Sequence, residues 1–220
     1  MLVIIPATGT KKAAANTFSG PQHAQFLAAA ALATPIPKLH GVPKAIVTGH
    51  ANVGGSSLLN VVLGRGHLLR TGEKPVRIFP RNPSLGKGPG KTALADAPGY
   101  GGRGRSEWGE PFGHYIDDRK ERIFTLFNSG HDLNEIDAIM IQSLDERVQA
   151  STGLKFTLQA IITKAGMIPE WRLASSITQV RKDIAGTTPT CLDPIITSTA
   201  RCPYIDTDAV RNATTQVCQR

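Results

Sequence analysis

The first third of the chain contains no acidic residue: nothing before Glu73 is Asp or Glu, Lys11 and Lys12 are the only cations before Lys38, and the first arginine is Arg65. Organellar transit segments share this lack of acid, and on that basis the mitochondrial matrix is the expected location, with the cytoplasm as the alternative. Long apolar runs are also missing. Met1 to Pro6 is far too short to cross a bilayer, and no later stretch approaches ~18 uninterrupted apolar residues, so a soluble protein with no membrane partner is expected. Cysteine is scarce. Cys191, Cys202 and Cys218 are odd in number and lack metal-ligand spacing, which argues against a disulfide framework and for a reducing compartment. No carboxylate pair and no Ser/His/Asp spacing stands out, so no residue is assigned a catalytic role.

A chain of 220 residues, 40% of them hydrophobic, is long enough for one domain with a sizeable core and too short for two of ordinary size. Its formal net charge of +8 favours phosphate-rich partners over neutral ones. The charge is local. Arg65, Arg70, Lys74, Arg77, Arg81, Lys87, Lys91, Arg103 and Arg105 face only Glu73 and Asp96 in their stretch, which therefore carries seven of the eight excess charges. Flexible cations on a Pro/Gly-rich segment suit phosphate-backbone binding without sequence readout, and these nine are the candidate RNA-binding residues.

Residues 1–43 read as an N-terminal extension, an arm with a short helix at most near Ala28 to Ala33, followed by an extended lead-in marked by Pro35, Pro37 and Pro43. Residues 44–220 form the domain. Lys44 to Thr48 is a β-branched run, and Ser56 to Gly64 has the composition of a buried helix. Residues 64–90 hold Pro75, Pro80, Pro83 and Pro89 among many glycines, so a strand at Ile78 and Phe79 is an edge strand or absent. Short apolar runs at 92–96, 123–128, 156–163 and 194–198 alternate with helical patterns at 133–150 and 169–184. In the second of these helices Trp171, Leu173, Ile177, Val180 and Ile184 recur near a period of 3.6 residues, and Gly186 is placed past its end. Strands alternating with helices predict an α/β fold: a mostly parallel sheet with helices on both faces.

Gly49-His50-Ala51-Asn52-Val53-Gly54-Gly55-Ser56-Ser57 lies between the first buried strand and a helix. It keeps the G-x-x-x-x-G-K-[ST] spacing of a phosphate-binding loop, with Gly55 in the lysine position. The segment from Asn52 to Arg77 resembles the loop, helix and switch of the EngB family of P-loop GTPases, which share a Ras-like fold. Asp96, Pro98, Gly99, Tyr100 and Gly101 resemble that family's aspartate-x-proline-glycine-tyrosine-glycine segment, and Trp108, Gly109 and Tyr115 match residues just beyond it. Asn128 to His131 aligns with its aspartate-x-x-histidine turn, Ile161 to Gly166 with its guanine-recognition box, and Thr197-Ser198-Thr199 with its last nucleotide-side loop.

The resemblance implies GTP or GDP with magnesium as cofactors. The nucleotide-binding residues it implies are Gly49, Asn52, Gly54, Gly55, Ser56, Ser57, Asp96, Gly99, Thr163, Lys164, Ser198 and Thr199, with Ser56 and Asp96 on the metal. Three side chains of the working family are replaced: lysine by Gly55, the switch threonine by Ile78, and the guanine-reading aspartate by Gly166. A hydrogen bond to a charged group contributes roughly 1.5–3 kcal/mol. A combined deficit of about 5 kcal/mol is more than a thousandfold in affinity, so nucleotide binding is expected to be weak or absent. The resemblance then implies a pseudo-GTPase that binds ribosomal RNA or ribosomal proteins, the large subunit first, in its assembly or as a resident component, and is monomeric off the ribosome. The alternative is a slow GTP-hydrolysing assembly factor whose missing groups come from the ribosome or from Lys74, Lys87 or Lys91.

Other residues take ordinary readings. His50 and His131 are solvated turn residues, Trp108 and Tyr115 pack on a helix, and the charges from Asp117 to Arg122 form a solvated helix end.

Overall fold

A computed structural model describes residues 2–6, 25–29, 44–64, 91–97, 99–100, 121–151, 156–200 and 204–216. A seven-stranded sheet organises them, with strands β1 (Leu2–Pro6), β2 (Gln25–Ala29), β3 (Lys44–Gly49), β4 (Lys91–Asp96), β5 (Glu121–Asn128), β6 (Phe156–Thr163) and β7 (Leu192–Ile196). Their order is β2-β1-β4-β3-β5-β6-β7. Strands β4, β3, β5, β6 and β7 run parallel, while β1 lies antiparallel to both β4 and β2. The parallel sheet expected from the strand–helix alternation is present, with the Lys44 and Phe156 runs in one sheet. Residues 25–29 differ from expectation. They form a strand where a short helix at most was expected, and both strands of the first 43 residues extend the domain's sheet.

Successive residues of a strand point to opposite faces, and two cores arise from that alternation. On one face Ala45 and Val47 of β3, Phe124 and Leu126 of β5 and Ile161 of β6 pack against Leu58, Leu59 and Val62 of helix α1 (Gly55–Val62) and Val210 and Ala213 of helix α4 (Thr207–Gln216). On the other, Ile46, Ile123, Phe127, Leu158, Ala160 and Ile162 meet Ile141, Leu144 and Val148 of helix α2 (Glu135–Ala150) and Val180 and Ile184 of helix α3 (Glu170–Thr187). At about 1.5–3 kcal/mol per buried large side chain, the first of these layers holds the eight-residue α1, which is too short to be stable alone.

Local chemistry sets the element ends. Asn134 Oδ1 accepts from Asp137 N at 2.8 Å and starts α2. Pro194 has no N–H to give, and it sits on the edge strand β7 beside a register shift opposite Gln159 and Ile161. Three expectations need correction. Helix α3 runs through Gly186 to Thr187, and a β-carbon on Gly186 would meet nothing within 4 Å beyond its own helix backbone. Trp171 shares the helical period yet is 83% exposed, because it lies in the first turn of α3, ahead of the buried Val180 and Ile184. Arg122 is no solvated helix end: it is the second residue of β5 and only 4% exposed. Its guanidinium donates to Ala213 O at 3.0 Å and reaches Thr157 Oγ1, Gln159 Oε1 and Gln216 Oε1 at 3.3 Å, tying α4 to the sheet. Among the described residues, no helix is long and apolar enough to cross a membrane.

Candidate functional site

The carboxyl ends of β3, β4, β5 and β6 converge on the loop from Gly49 to Gly54, at the sheet edge where ligands of open α/β sheets are bound. Asn52 has φ 65° and Gly54 φ 102°, so the loop turns twice through the left-handed region, and at 102° an L side chain would be strained. Gly54 occupies the N-cap position of α1 without a side-chain capping bond, and the first helical bond runs from Leu58 N to Gly54 O. The N–H groups of Gly55, Ser56 and Ser57 therefore lie in the helix's first turn, where the dipole favours an anion. No acidic residue stands in that turn to compete.

Three segments are stitched to this loop. From the end of β6, the Thr163 hydroxyl lies 2.6 Å from Val53 O and 3.0 Å from Phe127 O and donates to one of them at a time. Lys164, at φ 61°, donates from Nζ to Asn52 O at 2.8 Å, so its ammonium rests on the rim of the loop. From the end of β4, Tyr100 N donates to Gly49 O at 3.0 Å and Ala51 N to Tyr100 O at 2.9 Å. Gly99 allows this approach: a β-carbon there would stand 2.9 Å from both Ala51 N and Ala51 Cα. The Tyr100 ring is buried and meets the His50 imidazole edge-to-face at 6.0 Å. Burial, together with the Asp137 carboxylate, pushes its hydroxyl above the usual tyrosine range. Neither that hydroxyl nor Asp137 Oδ1 has a partner of ordinary hydrogen-bond geometry. From the end of β7, Thr197 O accepts from Ala165 N at 3.1 Å and Ser198 forms a two-bond bridge with Ile205, which places Ser198 against Gly166.

The replaced positions show what the site lacks. A β-carbon on Gly55 would stand 3.6 Å from Leu126 Cδ2 and 4.0 Å from Asp96 Oδ1, both ordinary contacts, so a β-carbon is tolerated at this position, which carries no cation. Asp96, half-buried at the end of β4, has its carboxyl pushed up to about 6 by burial. Gly166 offers the base edge no carboxylate.

Of the expected site residues, Gly49 ends β3, Asn52 and Gly54 lie in the loop, Gly55, Ser56 and Ser57 open α1, Asp96 and Thr163 end β4 and β6, and Gly99, Lys164, Ser198 and Thr199 follow β4, β6 and β7. Of the nine candidate RNA-binding cations, Arg65, Arg70, Lys74, Arg77, Arg81, Lys87, Arg103 and Arg105 lie outside the described residues, as do Ile78, Trp108 and Tyr115. Lys91 is the first residue of β4, paired with Pro6, rather than part of the loop. His50 is half-buried against Tyr100, while His131 is exposed as expected. Among the described residues, no three His, Cys, Asp or Glu side chains cluster as a metal site would need. The stitching of Tyr100 to Gly49 and Ala51 is backbone pairing beyond the strand ends and had no side-chain signal in the sequence.

No family model matches the chain. It is 27% identical over 198 residues to the probable GTP-binding protein EngB of Rhodopseudomonas palustris strain HaA2, covering 84% of each chain. To the probable GTP-binding protein EngB of Bradyrhizobium diazoefficiens it is 29% identical over 170 residues, covering 73% of this chain and 74% of the other. Among solved structures, Toc33 from Arabidopsis thaliana in complex with GDP and Mg2+ superposes with a TM-score of 0.58 over 80% of this chain and 84% of its own, at 16% identity. Translation elongation factor SelB from Methanococcus maripaludis does so at 0.51 and 13% identity, over 80% of this chain and 33% of its own. At those identities the structures speak for the fold alone. The fold is that of the P-loop GTPases, and in sequence the chain is similar to probable GTP-binding proteins named EngB.

Proposed function

We propose that this chain is a pseudo-GTPase, an EngB-type protein that binds ribosomal RNA or ribosomal particles of the mitochondrial large subunit without a nucleotide-driven cycle. The observation that carries the reading is Gly55. The residue lies at the first position of α1, within 4.0 Å of Asp96 Oδ1 by its built β-carbon, where a phosphate-bridging cation belongs and no side chain exists. The ammonium placed at the loop, that of Lys164, is bonded to Asn52 O. Phosphoryl transfer depends almost wholly on positioning and charge stabilisation, so the loss falls on catalysis as well as binding.

The donors that remain fit magnesium in part. Ser56 and Asp96 supply one hydroxyl and one carboxylate oxygen, and Mg2+ takes one or two carboxylates beside waters and phosphate oxygens. Bound there, the ion would neutralise phosphate charge. Ser56 and Asp96 would orient it, and the α1 N–H groups would hold the phosphates.

The RNA reading rests on the basic stretch from Arg65 to Arg105, and the mitochondrial reading on the acid-free start of the chain. The competing reading is a slow GTPase whose missing groups are completed in trans. Calorimetry with GTP and ATP in magnesium separates the two. The proposal expects affinities around millimolar with little preference between the bases. Submicromolar GTP binding with ATP excluded would contradict it and favour the enzyme.

A further inference from the structure

The slot above Gly166 is not featureless. A β-carbon built on Gly166 would stand 2.6 Å from Ser198 Oγ and 3.3 Å from Ser198 Cβ, so the serine hydroxyl occupies the space next to the missing side chain. Backbone bonds hold the two residues together. Thr197 N donates to Ile162 O at 2.7 Å and Thr197 O accepts from Ala165 N at 3.1 Å, which fixes the approach on one side. On the other, Ser198 N donates to Ile205 O at 3.3 Å and Ser198 O accepts from Ile205 N at 3.0 Å. Ser198 is 3% exposed, and the contact its hydroxyl makes, with Ala200 N, is long at 3.5 Å.

Resting on the nucleotide-fold reading above, we infer that Ser198 sets the base preference of this site and makes it accept purine nucleotides of either kind. A carboxylate only accepts, so it rewards the paired donors of a guanine edge and repels an adenine ring nitrogen. A hydroxyl has one donor and two acceptor lone pairs, and rotates to suit. Toward guanine it accepts from a ring N–H; toward adenine it donates to the ring nitrogen. Each base then makes one neutral hydrogen bond of similar strength, and the discrimination that a buried, unpaired polar group would impose does not arise. Pyrimidines, with one ring, fall short of the hydroxyl.

The test is displacement of a fluorescent purine nucleoside diphosphate in a Gly55→Lys background, where added phosphate affinity brings binding into a measurable range. GDP and ADP are expected to compete within about threefold of each other, and CDP roughly tenfold or more weakly. Ser198→Ala should weaken GDP and ADP alike by roughly threefold to tenfold and leave CDP unchanged, while Ser198→Thr, which keeps the hydroxyl, retains purine binding. Gly166→Asp made together with Ser198→Ala, which removes the hydroxyl 2.6 Å from the new β-carbon, should swing the ratio to GDP by tenfold or more, on the order of 1.4 kcal/mol. Unchanged GDP and ADP affinities in folded Ser198→Ala would overturn the inference while leaving nucleotide binding itself intact. If the Gly55→Lys protein binds no purine or pyrimidine nucleotide, the nucleotide site and the inference fall together.

Discussion

Asp96 offers a stability measurement whose sign is fixed by the structure. Its carboxyl lies at the end of β4, half-buried beside the start of α1, and burial raises it from 3.8 to about 6. A folded-state value above the unfolded one means that the native state holds the proton more tightly. The stabilisation from the neutral form is complete below the unfolded value of 3.8 and is lost as pH rises through about 6. The full difference corresponds to about 3 kcal/mol, and solvent screening of a half-buried group reduces it to about 1–2 kcal/mol. Asp96→Asn keeps the shape and removes the charge. In urea denaturation series on the wild type and the variant, the two should be equally stable near about pH 3.5, and the variant more stable by about 1–2 kcal/mol near about pH 7.5. Titration of every other group cancels in the difference. Gly55→Lys, by setting an ammonium beside the carboxylate, should shrink the gap. A difference that is flat with pH, or an asparagine variant that is less stable at neutral pH, would refute the reasoning.

Gly99→Ala should cost about 1–3 kcal/mol and raise amide exchange at Ala51 and Tyr100, because its β-carbon would meet Ala51 backbone atoms at 2.9 Å. Gly186→Ala, in open space inside α3, should instead raise stability by about 0.5–1 kcal/mol, and a melting comparison of the two checks the pair. Arg122→Met keeps the stem but leaves Ala213 O and both glutamine oxygens without this donor. A loss of about 2–4 kcal/mol is expected, with early proteolytic release of α4. Replacing Arg77, Arg81 and Lys87 by Ala should flatten the log-linear fall of RNA binding with salt and leave melting unchanged, whereas equal slopes would mean that the stretch only solubilises. Lys91 is kept in that variant because it begins β4.

Much of the fold was legible because its signals are local. Phe156 to Thr163 is a buried strand bounded by breakers, and the alternation of such runs with periodic helices implies a parallel sheet. The strands at Leu2–Pro6 and Gln25–Ala29 were not legible, since the partners that make an alanine-containing segment a strand are remote in sequence. Arg122 was misread for a related reason. Its neighbours from Asp117 onward are charged, and only the tertiary structure supplies the four oxygens that satisfy a buried guanidinium. The site's glycines were visible as replacements at Gly55 and Gly166. What the sequence could not show is what stands in the space they leave: nothing beyond ordinary contact at Gly55, and the Ser198 hydroxyl at Gly166.

A pseudo-GTPase as proposed would bind a ribosomal partner without reading a nucleotide. Co-sedimentation of the purified protein with mitochondrial large-subunit particles, with no nucleotide, with GDP and with a non-hydrolysable GTP analogue, tests this most directly. The same bound fraction is expected in all three conditions, with a steep fall with salt in each. Binding that requires the triphosphate and is lost with the diphosphate would contradict it.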